Sequence, residues 1–207
     1  MLLTGIIAAA VMMTACGGKD GAESTNESGS SGTMPSVQKV TQAHIVKADG
    51  YDRDSLFIVI SKKDETLKVY TAEGDTSLVA VFPACLSRAK GQKEEKGDMK
   101  TPESEPGEPF SITEIQDAST WEHDFGDGRG KILSYGHWFL RLKTPGHNGI
   151  GIHGSTNNEN TVPGRDSEGC IRLKDADIIT LKENYARVGM PVIIKAEEQG
   201  NLPFERE

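Results

Sequence analysis

The sequence predicts a mainly β domain, a β-sandwich or open barrel, with one helix in its C-terminal half. Three observations carry this reading. Short apolar or alternating runs recur from Ser55 to His153 and again near Val192. Turn residues separate them at hairpin spacing, and one stretch alone repeats its apolar residues at helical intervals.

The folded part begins near Ser55. In "SLFIVISKKDETLKVYTAEGDTSLVAVFPACLS", "LFIVI" is a continuous apolar run of strand length, "LKVY" alternates, and "SLVAVFP" is β-branched. "KKDE" and "EGD" turn the chain between them, which predicts an antiparallel meander. "RAKGQKEEKGDMKTPESEPGE" is charged and rich in Gly and Pro, so it reads as an exposed loop. "PFSITEI" reads as a strand, and "DASTWEHDFGDGRG" as a loop with a Gly-rich tip. "KILSYGHWFLRLKT" is one strand or a pair, and "GIGIHG" a short strand. A helix is expected from Asp175 to Val188, with Ile178, Leu181, Tyr185 and Val188 on one face, Asp175 capping its start and Gly189 its end. "MPVIIK" is a last strand, and the polar tail after it reads as frayed. The expected division is a leader at 1–15, a tether at 16–54, the folded domain at 55–196 and the tail at 197–207.

The chain has 207 residues, 36% of them hydrophobic, and a formal net charge of -8. No long Lys/Arg cluster is present to displace counterions from phosphates, so the sequence argues against nucleic acid as a partner. "LLTGIIAAAVMM" is apolar but too short to span a bilayer comfortably, and "TACGG" follows it. This arrangement resembles a bacterial lipoprotein signal. It implies cleavage before Cys16, a lipid on Cys16, and a membrane-tethered protein in the cell envelope, facing the periplasm. No Lys or Arg precedes the apolar stretch, which departs from that pattern. An ordinary signal peptide or a short buried helix are the alternatives. "GGKDGAESTNESGSSGT" has almost no apolar residue to offset its ordering entropy and reads as a flexible tether.

The chemistry concentrates in "HGSTNNENTVPGRDSEGCIRL", from His153 to Leu173. Cysteine attacks only as thiolate and needs a base or a positive field nearby. His153 can be the base of Cys170, backbone N–H groups around Gly169 and Cys170 can stabilise an oxyanion, and Arg172 can bind a carboxylate. Three cysteines are too few for a disulfide scaffold. Cys85 either pairs with Cys170 or is a small buried hydrophobe, and burial is the favoured reading.

"GIHG", a loop, and then "SEGCIRL" resemble the signature of the L,D-transpeptidase catalytic domain (YkuD) family. "LKVYTAEG", "KGDMKTPESEPGEPFSI" and "GHWFLRL" resemble, in order, segments upstream of that signature, so the similarity runs from about Leu56 to Lys195. The resemblance implies a β-sandwich with a small helical element and no metal or organic cofactor. It implies peptidoglycan stem peptides as substrate: Cys170 attacks the L-centre of a third-position diamino acid, D-alanine leaves, and the side-chain amine of another stem takes the acyl group. Hydrolysis by the same site, or attachment of a lipoprotein to the wall, is also found in the family, and carbapenems acylate the same cysteine. Carried over by position, Cys170 resembles the nucleophile and His153 the base. The Gly154 carbonyl resembles the group that orients the imidazole, Ser167 the residue that shapes the loop, Gly169 the oxyanion corner, and Arg172 the arginine near the site. A wall-binding lipoprotein with a decayed site is the non-catalytic alternative, against which the intact set of residues argues.

Two features depart from the family pattern. Glu168 stands where many members have histidine, and a carboxylate facing the sulfur would disfavour a thiolate, so Glu168 is expected to point away or to bind a cationic stem amine. "TPESEPGEPF" is longer than the corresponding segment. Among other residues, His147 reads either as a site-lining side chain or as a turn histidine, and Trp121 is a better groove candidate than Tyr135 or Trp138, the latter expected in the core. His137, His147, His153 and Cys170 lack the short paired spacing of a zinc site.

Overall fold

The computed structural model of the protein describes residues 39–47 and 49–205; Cys16, the apolar leader and most of the expected tether lie outside the described residues. Among the described residues the strands are β1 (His44–Ile45), β2 (Leu56–Ser61), β3 (Thr66–Thr71), β4 (Ser77–Pro83), β5 (Cys85–Ser87), β6 (Phe110–Asp117), β7 (Glu122–Asp124), β8 (Lys131–Leu133), β9 (Trp138–Lys143), β10 (Gly151–His153), β11 (Gly164–Ser167), β12 (Ile171–Arg172) and β13 (Pro191–Ile194), with one helix, α1 (Asp175–Asn184). The mainly β architecture with a single helix is as the sequence predicts. Eleven strands join in one mixed sheet, ordered β1-β4-β3-β2-β13-β6-β9-β10-β12-β5-β11, and β7 pairs with β8 as a separate ribbon.

β2 to β4 form the expected antiparallel meander. The apolar run of β2 lies inside the sheet, where both faces are covered, and Ile58 and Ile60 have no exposed surface. The parallel pairs are less legible in the sequence, because each joins segments that are distant along the chain. β13 lies parallel to β2, β12 to β10, and β11 to β5. The core gathers Ile58, Leu67, Val69, Phe82, Leu140 and Ile152 from the sheet with Ile178, Leu181 and Tyr185 from the helical segment.

Several boundaries differ from expectation. The helix stops at Asn184, four residues short of Val188, which is exposed. Ala186 N–H reaches back to the Leu181 carbonyl at 2.8 Å, the chain turns, and Gly189 N–H bonds the Ile112 carbonyl at 2.7 Å. Gly189, at φ +83°, therefore serves the turn into β13 and does not cap the helix. Asp175 is the first helical residue and not its cap. Its carboxylate accepts from Ser155 N–H at 2.7 Å and from the Thr156 hydroxyl. Glu159 instead takes the Asp175 N–H at 2.7 Å, a cap supplied from the loop between β10 and β11.

The stretch expected as a Gly-tipped loop is the β7–β8 ribbon, with His123 opposite Ile132. Residues 44–45, placed in the tether by the sequence reading, form β1 against β4. The tail is docked and not frayed: Phe204 packs edge-on against Phe57 and Tyr70, and Glu205 is buried.

The charged loop between β5 and β6 is exposed for much of its length but is held by a buried cation. Lys62 has no exposed surface, and its Nζ donates to the Gly91 and Thr101 carbonyls at 2.8 and 3.2 Å and to Glu103 at 2.5 Å. Glu197, 3.6 Å from the same Nζ, also binds Arg165 of β11. One network thus ties this loop to the segment that carries the cysteine.

Candidate active site

β10 and β12 run side by side in parallel, with Ile152 opposite Ile171 and His153 opposite Arg172. Paired residues project from the same face, and so do residues two apart in one strand. Cys170 directly precedes β12, so Cys170, Arg172 and His153 share a face. They line one cavity of about 270 Å³.

The loop that returns the chain to Cys170 is fixed by its own hydroxyl. Ser167 donates from Oγ to the Cys170 carbonyl at 2.5 Å and accepts the Gly169 N–H at 3.2 Å. Gly169 sits at φ +138°, and a Cβ there would fall 2.9 Å from the Lys100 carbonyl oxygen, so both conformation and space require glycine. Its N–H, expected to serve an oxyanion, is spent on Ser167. Gly169 therefore shapes the corner.

His153 is 3% exposed. Its Nδ1 lies 2.6 Å from the Gly154 carbonyl, which can only accept, so Nδ1 carries the proton and Nε2 is left basic. Gly154 has no room for a side chain: a Cβ would lie 2.5 Å from Asp175 Oδ1 and 2.7 Å from the Gly136 Cα. The imidazole stacks on Phe139 at 5.6 Å between ring centres and packs against Tyr135 at 4.8 Å. This burial, with the charge of Arg172, pushes the His153 pKa down to about 3 against the opposing Gly154 bond. Burial also pushes the Cys170 thiol up; a Gly151 backbone bond and the Arg172 and Arg141 charges oppose this, and Glu168 adds to it. Burial thus opposes both charged forms, the thiolate and the imidazolium, which suits proton transfer during attack better than a standing thiolate.

Arg172 is 3% exposed, 3.4 Å from Asp166, and its guanidinium lies 5.0 Å from the Phe125 ring centre. It acts on the site chiefly through its charge. Cys170 also borders a second cavity with Trp121, Glu122, Phe139 and Arg141, and Tyr135 lines both cavities. His147 lines neither. It lies in a tight turn with Thr144 and borders a different cavity beside Lys143 and Glu103. Trp138 is partly buried under Lys182. Cys85 is a free, fully buried thiol whose Sγ accepts the Asp166 N–H at 3.2 Å, and Cys170 is free as well. Among the described residues no three His, Cys, Asp or Glu side chains gather to hold a metal ion.

His123, Phe125 and Ser134 also line the cavity and escaped the sequence reading. One signal was present. Trp121, His123 and Phe125 alternate ahead of a Gly-rich turn, which is the pattern of a hairpin arm.

A family model described as the L,D-transpeptidase catalytic domain (YkuD) matches residues 55–194. No curated protein matches the chain. Among solved structures it is similar to Bd1075 of Bdellovibrio bacteriovorus (20% identity, 68% of this chain and 47% of that one, TM-score 0.47). It is similar to an L,D-transpeptidase from Mycobacterium smegmatis (19%, 69% and 59%, 0.46). It is also similar to the helical cell shape determining protein Pgp2 from Campylobacter jejuni (18%, 79% and 53%, 0.48). The chain spans about half the length of these structures. Since the family model takes in strands β2 to β13, the helix and the whole Cys170 loop, about two thirds of the 207 residues, the chain belongs to the L,D-transpeptidase catalytic domain (YkuD) family.

Proposed function

We propose that this protein is a cysteine-dependent L,D-transpeptidase acting on peptidoglycan stem peptides. The observation that carries the reading is the placing of Cys170 and His153 on one cavity wall, with the imidazole tautomer set by the Gly154 carbonyl. His153 Nε2 takes the thiol proton as Sγ attacks the carbonyl at the L-centre of the third stem residue. The Cys170 N–H stabilises the oxyanion, with the Arg172 charge behind it. His153 returns the proton to the leaving D-alanine amine, and a thioester on Cys170 remains. The side-chain amine of a second stem then takes the acyl group and cross-links two third-position residues; water in its place gives the carboxypeptidase or endopeptidase outcome.

Incubation with a carbapenem is expected to raise the intact mass by one adduct, and Cys170→Ala to abolish it. Incubation with a disaccharide-tetrapeptide is expected to yield cross-linked dimers and free D-alanine. An unchanged mass with Cys170 still titratable as a thiol sinks the assignment. The reading extends to an envelope protein with a lipid on Cys16, facing the periplasm. It expects palmitate labelling that Cys16→Ala removes, and labelling that persists in that variant would refute the anchor.

A further inference from the structure

His123 and Glu168 line the same cavity, and neither attacks nor carries a proton in the steps above. His123 Nε2 lies 3.1 Å from Glu168 Oε2, and both side chains are about one-third exposed. They come from separate elements, His123 from β7 and Glu168 from the loop just before Cys170. Among the described residues Glu168 is the one acidic side chain on this cavity, whose other charged groups are the cations Lys93, Lys96 and Arg172. Its bond to His123 uses a single oxygen, so Oε1 can accept from another donor. Ser134 supplies an independent sign of a missing partner. It is 2% exposed, it lines the same cavity, and among the described residues its Oγ has no hydrogen-bond partner. A buried hydroxyl left unpaired is costly unless something completes it.

We infer that the His123–Glu168 pair is the docking site of the amine acceptor, with His123 as the base that frees its lone pair. The inference rests on the acyl-transfer reading above. A side-chain amine is an ammonium at neutral pH and has no electron pair with which to attack. Glu168 Oε1 and Ser134 Oγ hold that ammonium. Glu168 accepts from the His123 Nε2–H, which leaves Nδ1 to take one proton from the amine. The nitrogen pair then forms the C–N bond at the thioester carbonyl, and the C–S bond breaks with its electrons on sulfur. The second amine proton passes through His153 to Sγ, and the His123 imidazolium gives its proton to solvent. Water needs no such docking, so the pair favours transfer over hydrolysis.

The test uses the purified full chain, a tetrapeptide donor and three competing acceptors: Nα-acetyl-lysinamide, which is cationic; hydroxylamine, which is uncharged at neutral pH; and water. Products are counted by mass. Glu168→Gln is expected to cut the ratio of lysinamide product to hydrolysis product by at least about tenfold. Its hydroxylamine-to-hydrolysis ratio is expected to stay within about twofold. Ser134→Ala removes a hydroxyl with no partner to lose, so it is expected to fold normally and to shift the lysinamide ratio in the same direction. Equal losses with both amines, no loss with either, or a parent that acylates and only hydrolyses overturns the inference. A parent that never forms the acyl-enzyme removes the proposed function along with it.

Discussion

His153 couples the candidate site to stability. Its pKa falls from the ordinary 6.5 to about 3 on folding, so between those values the unfolded chain binds a proton that the native site refuses. Stability contributed by the neutral imidazole is therefore full above pH 6.5 and is lost as pH falls toward 3, at about 1.4 kcal/mol per pH unit per proton. His153→Gln is expected to flatten the slope of urea-unfolding free energy between about pH 5 and 6.5, above the range where carboxylates titrate. An unchanged slope would place the buried proton acceptor elsewhere. At this scale the sequence was informative about chemistry and less so about reach. The signature placed Cys170, His153 and the Gly154 carbonyl together. It could not show that Ser167 consumes the Gly169 N–H, or that His147 turns toward another cavity, because both depend on contacts that spacing does not encode.

At the scale of elements, the loop between β5 and β6 forms one wall of the cavity through Lys93, Lys96 and Met99, yet it has no strand of its own. Its order comes from Lys62, at the end of β2, whose ammonium is met by Glu103, Glu197 and two carbonyls. Lys62→Met is expected to leave Glu103 without its buried counter-charge and Glu197 with Arg165 alone. The expected cost is about 3–5 kcal/mol in chemical unfolding, with faster proteolysis between Arg88 and Pro109. Full stability with the loop still protected would show that the loop orders itself. The sequence read this segment as an exposed loop because its composition is polar, and Lys62 as part of a turn, because nothing local marks a lysine for burial. The helix end and the β7–β8 ribbon were misjudged for a related reason. Val188 fits the helical period, but the backbone must leave the helix early to reach β13.

Across the whole molecule the two ends of the folded part meet on the sheet. Glu205, from what reads as a polar tail, accepts Lys195 at 2.7 Å and Lys68 at 3.0 Å, and Phe204 closes over Phe57 and Tyr70. Lys195 and Glu205 side chains are each 1% exposed. Glu205→Ala is expected to cost about 3–5 kcal/mol, since Lys195 would stay buried without a counter-charge, and thermal melting checks it. A melting temperature equal to that of the parent would mean the tail is a bystander. The meander was legible because its strands are neighbours in sequence. The parallel pairings and the tail clasp were not, because each joins segments far apart along the chain.

The burial that pushes the Cys170 thiol up has a consequence for the lifetime of the protein. Peroxides attack thiolates far faster than thiols, so a sulfur that stays protonated until substrate arrives is slow to climb toward sulfinic and sulfonic acids. Cys85, enclosed by the sheet, offers no accessible thiol to trap a sulfenic acid formed at Cys170. Durability here comes from withholding the reactive form, and not from repairing it.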